Sequence, residues 1–137
     1  MTTHATGTFE VKLNPMAPDH KNQHPTLGRL SIDKQFHGDL EGTSQGQMLT
    51  AGTAVDGSAG YVAIERVTGA LHGRGGSFVL QHNGTLTRGA PQLTITVVPD
   101  SGTDDLVGLS GTMRIDITGG NHLYDLEYTL AEHAHTG

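Results

Sequence analysis

Two residues in this sequence are placed to do acid–base chemistry. Glu65 falls in step with Tyr61, Ala63, Val67 and Leu71, and His82 falls in step with Phe78 and Leu80. Successive side chains on a strand point to opposite faces, so an ionisable group on the apolar parity is expected to share the burial of its neighbours. Burial alone raises a glutamate pKa and lowers a histidine pKa, whereas a hydrogen-bonded glutamate–histidine pair shifts both the other way. Either state suits proton transfer or the orienting of a ligand. Further along, His122, Tyr124 and Tyr128 are in step with Leu126 and Leu130, and Lys34 is in step with Leu30, Ile32 and Phe36. The expected site therefore has Glu65 and His82 as its catalytic or orienting pair, with Tyr61, Phe78, His122, Tyr124 and Tyr128 binding the ligand. Lys34 is expected to snorkel its ammonium to a barrel mouth. The plainer alternative is that these tyrosines and histidines merely satisfy one another inside a core. Val62 and Ile64 make the face opposite Glu65 apolar too, which leaves the orientation of that run open.

The elements that must carry these residues are strands. Glycine and proline interrupt the chain so often that only Asn121–Thr136 exceeds ten residues without either, and an ordinary helix averages about eleven or twelve. Between the breaks apolar and polar residues alternate, as in Phe9, Val11 and Leu13 against Thr8, Glu10 and Lys12. Strands are expected near 4–13, 27–37, 40–51, 60–72, 77–87, 92–99, 106–118 and 121–132. In the seventh, Val107, Leu109, Met113, Ile115 and Ile117 read as pure core. Asn83-Gly84 reads as a bulge in a long fifth strand, with a turn as the alternative. Most separators are hairpin-sized, so neighbours should pair antiparallel.

Eight such strands without covering helices must close or stack, and closure removes exposed edges. The expected fold is all-β, one eight-stranded antiparallel up-and-down β-barrel spanning 1–137, with a long irregular loop at 14–26 and a polar tail at 133–137. The sandwich is the alternative. A barrel of this size is filled by side chains or holds one small ligand, and three prolines in the 14–26 loop raise the question of a lid.

Composition narrows the partners. The net charge is −6 and there are only six phenylalanines and tyrosines, with no tryptophan, which argues against a nucleic-acid partner. The absence of cysteine removes disulfides, thiolate nucleophiles and cysteine-ligated metals. No apolar run is long enough for a membrane helix and no leader is apparent, so a soluble cytoplasmic protein is expected. Nine histidines raise the question of metal. The His20/His24 and His133/His135 pairs lie off any expected helix and read as exposed, and a zinc site from His72, His82 and His122 cannot be tested by spacing. No metal or other cofactor is expected. The glycine run 73–76 opens no helix and reads as a turn, and the acidic segment Pro99–Asp105 reads as a solvated turn.

The runs Gly60-Tyr61-Val62-Ala63-Ile64-Glu65-Arg66-Val67-Thr68-Gly69, Gly76-Ser77-Phe78-Val79-Leu80-Gln81-His82, Ser101-Gly102-Thr103 and His122-Leu123-Tyr124-Asp125-Leu126-Glu127-Tyr128 resemble the bacterial domain-of-unknown-function 3224 family over nearly the whole chain. That family in turn resembles the allene oxide cyclase and dirigent barrels, which implies an eight-stranded antiparallel barrel with a lipophilic cavity. No catalytic residue carries over, because no cyclase motif aligns. The resemblance implies a mainly apolar small molecule in the barrel cavity and a cofactor-independent cyclase or isomerase. The alternatives are a non-catalytic carrier or sensor, and a filled barrel acting through its surface or as a homo-oligomer. For that last reading, Thr94, Thr96 and Val98, or Val62 and Ile64, would form the outward patch.

Overall fold

The computed structural model describes residues 2–17 and 26–130. Eight antiparallel strands close in sequence order into one barrel: β1 (Thr3–Pro15), β2 (Leu27–Gly38), β3 (Leu40–Gly52), β4 (Ala59–Leu71), β5 (Arg74–Thr87), β6 (Ala90–Val97), β7 (Leu109–Thr118) and β8 (Asn121–Leu130). The ring is completed by β1 against β8, through pairs such as Ala5↔Leu126 and Gly7↔Tyr124. The 18–25 part of the irregular loop and the 133–137 tail lie outside the described residues, as do His20, His24, His133 and His135. Among the described residues no helix is long and apolar enough to cross a membrane.

Period-two alternation fixes what faces inward. Ala5, Phe9, Phe36, Leu40, Val67, Leu71, Phe78, Leu80, Leu109 and Leu126 form the buried core. The sheet register leaves the opposite parity outside, and Leu49, Val62 and Ile64 are each about half exposed, at 53%, 51% and 51%. That settles the orientation of β4 in favour of Glu65 pointing in. Asn83 and Gly84 are neither a turn nor a bulge. They pair regularly with Val62 and Tyr61 on one side and with Thr94 and Leu93 on the other.

The two barrel ends differ. At one, a 3-10 turn (Asp104–Leu106) between β6 and β7 drives Leu106 into the core, where it is fully buried. There the chain past β6 continues along β5: Val79 N–H donates to the Ser101 hydroxyl at 3.0 Å and Ser77 N–H to the Thr103 hydroxyl at 3.0 Å. β6 and β7 pair only through Ile95↔Met113 and Thr96↔Thr112 and have parted before the other end is reached. The uniform core expected of the seventh strand is therefore corrected. Val107 lies in the turn before β7 and is 42% exposed, and Ile117, beyond the parting, is 65% exposed.

Candidate functional site

Glu65 is the centre of a buried polar cluster inside the barrel. It lies on β4 with no exposed surface, and its carboxylate is reached from three other strands. From β5, His82 Nε2 lies 2.5 Å from Oε2; from β2, Lys34 Nζ donates to Oε2 at 2.8 Å; from β3, the Ser44 hydroxyl donates to Oε1 at 2.7 Å. Room for this convergence comes from Gly46, which faces Glu65 across the β3–β4 ladder: a Cβ there would fall 2.6 Å from Glu65 Cα. Burial pushes the carboxyl pKa up, but the hydrogen bond with His82, the Lys34 charge and hydrogen bond, and the Ser44 hydroxyl outweigh it and hold the group at about 2. Glu65 is accordingly a carboxylate, and it needs the Lys34 ammonium and its hydrogen bonds, since an unpaired buried charge is costly.

Lys34 does not snorkel. Its side chain is 6% exposed, and the ammonium sits 5.0 Å from the Phe9 ring centroid and 5.8 Å from that of Phe36. Aromatic faces and a carboxylate together hold the charge inside more favourably than a long reach to water.

The cluster reaches one step further. The Tyr61 hydroxyl lies 3.4 Å from His82 Nδ1, with the rings 6.2 Å apart. Burial and the nearby Glu65 charge raise the Tyr61 phenol pKa, so the hydroxyl stays protonated. Tyr61 also lines a cavity of about 540 Å³ at the barrel end where β6 and β7 part, together with Met48, Ala59, Leu86, Pro91 and Leu93. Leu86 and Leu93 are each 43% exposed although both lie on the inward parity. The arrangement is thus an apolar hollow with one phenolic group in its wall, backed by a histidine and a carboxylate. A hydroxyl, a base and an orienting acid in series is the general layout of proton-transfer sites.

The remaining expected site residues are elsewhere. Phe78 is fully buried and packs in the core with Val67 and Leu80. Tyr124 accepts from Leu40 N–H at 2.9 Å and shares its proton between the His37 and Leu40 carbonyls at 3.0 and 3.1 Å, pinning the β2–β3 turn. Tyr128 bonds His72 Nδ1 at 2.5 Å, and His72 Nε2 stands 3.5 Å from Asp39. Asp39 accepts from Thr6 N–H at 2.9 Å, and that bond with the nearby His72 lowers its pKa. His122 is half-buried against the Phe9 ring at 5.1 Å. His72, His82 and His122 therefore answer to different partners, and no group of three metal-ligating side chains occurs among the described residues.

Sequence reasoning missed Ser44. Gly42 and Gly46 flank it on its parity and interrupt the apolar stripe between Leu40 and Met48. It also missed the Tyr128–His72–Asp39 chain, because His72 and Asp39 sit in turns, where alternation carries no information.

The family model described as "Protein of unknown function (DUF3224)" matches residues 5–128. A solved structure of a protein with unknown function from the DUF3224 family, from Shewanella oneidensis MR-1, is 50% identical over 97% of this chain and 100% of its own, with a TM-score of 0.91. No curated protein matches the chain.

Proposed function

The chain belongs to the DUF3224 family, whose description assigns no activity, and from the barrel mouth we propose that it binds one mainly apolar small molecule there. The observation that carries the reading is the cavity itself: about 540 Å³ of apolar-walled space lined by Tyr61, whose hydroxyl leads to the buried His82–Glu65–Lys34 cluster. Pockets that are mostly apolar with a few placed polar groups are the usual form of small-molecule sites. Exposed inward-parity leucines at the same rim support it, since a ligand would cover them. In the catalytic form of the proposal, a cofactor-independent isomerase or cyclase, Tyr61 touches the substrate. His82 then takes and returns the Tyr61 proton through Nδ1, and Glu65, bonded to Nε2, positions the ring. In the carrier form the same groups only orient the ligand. The likeness to allene oxide cyclase and dirigent barrels rests on the sequence resemblance alone.

Native mass spectrometry of the freshly purified protein, with extraction of anything bound, tests the proposal. A stoichiometric apolar compound is the expected result. A clean apo mass, with no thermal shift from a panel of lipids, terpenoids and polyketides, would overturn it.

A second reading has its own observation. The outer wall carries a hollow of about 910 Å³ around Leu49, Val62 and Ile64, all about half exposed. An assembly of copies through that wall would appear in the same native spectra as a multiple of the chain mass.

A further inference from the structure

We infer that the mouth cavity selects a neutral, mainly apolar molecule bearing a single hydrogen-bond donor, an O–H or N–H group that bonds the Tyr61 oxygen. This rests on the binding reading above and is carried by the directions in which the cluster donates. Glu65 takes hydrogen bonds from Ser44, Lys34 and His82. A carboxylate only accepts, so His82 Nε2 carries the ring proton, and in the neutral imidazole Nδ1 is then an acceptor. The Tyr61 hydroxyl faces Nδ1 at 3.4 Å, and beside a neutral ring it is the donor of that contact. Lys34 already balances the charge of Glu65, and a second positive charge on a ring that is 4% exposed would be buried without a carboxylate of its own. A Tyr61 hydroxyl that donates to Nδ1 leaves its lone pairs for a ligand in the cavity that Tyr61 lines.

A donor placed on those lone pairs extends the series head to tail, from ligand to Tyr61, from Tyr61 to His82 and from His82 to Glu65. Every bond dipole then points toward the buried carboxylate, and bonds in such a series polarise one another. A ligand with only acceptors, such as an ether or a ketone, meets lone pairs with lone pairs. To gain the Tyr61 proton it must break the bond to His82 and leave Nδ1 without its donor, in a side chain that is 4% exposed. The 3.4 Å between Tyr61 and His82 is long for such a bond, which leaves room for the shortening that a ligand donor induces. Burial keeps Tyr61 protonated, as the series requires. Thr50, Thr85 and Gln92 also line the cavity. The comparison of variants separates their contribution from that of Tyr61.

The test uses two probes with one apolar body, 1-naphthol, which donates, and 1-methoxynaphthalene, which only accepts. Their affinities are measured by calorimetry or probe fluorescence for the wild-type chain and for Tyr61→Phe, with circular dichroism reporting the fold. Relative to Tyr61→Phe, the wild type should favour 1-naphthol over 1-methoxynaphthalene by about 3- to 10-fold, the worth of one net hydrogen bond. Binding of both probes with the same ratio in the two proteins would overturn the donor inference and leave the cavity reading standing. Binding of neither probe overturns both. If Tyr61→Phe does not fold, the wild-type protein still decides: 1-naphthol must bind more tightly, relative to 1-methoxynaphthalene, than their partitioning from water alone predicts.

Discussion

The ring of Tyr61 occupies the space that a side chain at Gly84 would need. The two residues are directly opposite in the β4–β5 ladder, and a Cβ at position 84 would collide with the near edge of the ring, lying 2.9 Å from Cδ1. A glycine that weakens a strand taken alone here lets an aromatic ring lie over its backbone. Gly84→Ala is expected to push the ring out of place at a cost of about 1–3 kcal/mol. The variant should also lose several-fold in affinity for 1-naphthol. Denaturant unfolding and probe binding check the two effects separately, and unchanged probe binding would detach Tyr61 from the site.

Breaking the Lys34–Glu65 pair from one side should be costly. Lys34→Met leaves a buried carboxylate that has lost its full positive charge, and Glu65→Leu leaves a buried ammonium. Each is expected to destabilise by about 3–5 kcal/mol, and the double variant by much less than the sum. Urea unfolding of the four proteins completes the cycle. Additive losses would mean that the two groups are not coupled.

Acid should unfold the protein through Glu65. Its folded pKa, about 2, is below the ordinary value of 4.5, so its contribution is complete above about 4.5 and is lost as pH falls toward and through 2. The linkage amounts to on the order of 3 kcal/mol. Stability followed by denaturant melts from about pH 6 down to about pH 2 should fall in the wild type, and the slope should be shallower in Glu65→Gln. The exposed pairs His4–Asp125 and His37–Glu10 act with the opposite sign. Hydrogen bonds to the carboxylates raise both histidine pKa values, so that contribution is present below the ordinary imidazole value and lost as pH rises through the raised one. Exposed pairs contribute little, so the acid limb should dominate.

Tyr124→Phe separates architecture from site. It removes the hydroxyl that bonds the Leu40 amide and two carbonyls of the β2–β3 turn, and a loss of about 1–3 kcal/mol is expected. Probe affinity at the far cavity should not change. A fall in affinity in a folded variant would place Tyr124 among the ligand-binding residues.

Alternation made most of this barrel legible in the sequence. The eight strands lie within a few residues of where glycine, proline and period-two patterning put them, and the inward parity of Glu65 and His82 follows from Val67, Leu71, Phe78 and Leu80. What alternation could not supply was which inward groups meet. Tyr61, His82, Lys34 and Ser44 converge on or through Glu65 because the closed ring brings four strands together, whereas Tyr124 and His122, on the same parity, engage the β2–β3 turn and Phe9. Lys34 was misread because snorkelling was weighed without its partner. The start of the seventh strand was misread because Leu106 and Val107 continue an apolar pattern through a turn.

The brief pairing of β6 with β7 gives the barrel a seam. Each of the other junctions is a ladder of at least seven residue pairs, so opening any of them breaks many bonds at once. The two pairs at the seam can be broken without disturbing the rest of the ring. Breathing of the wall is therefore expected beside Leu93, in the rim of the cavity. Amide hydrogen exchange should be fastest, among strand residues, along 90–94 and 114–118, and slowest along β3 and β4. A hollow whose wall yields on one side can open wider than its resting aperture.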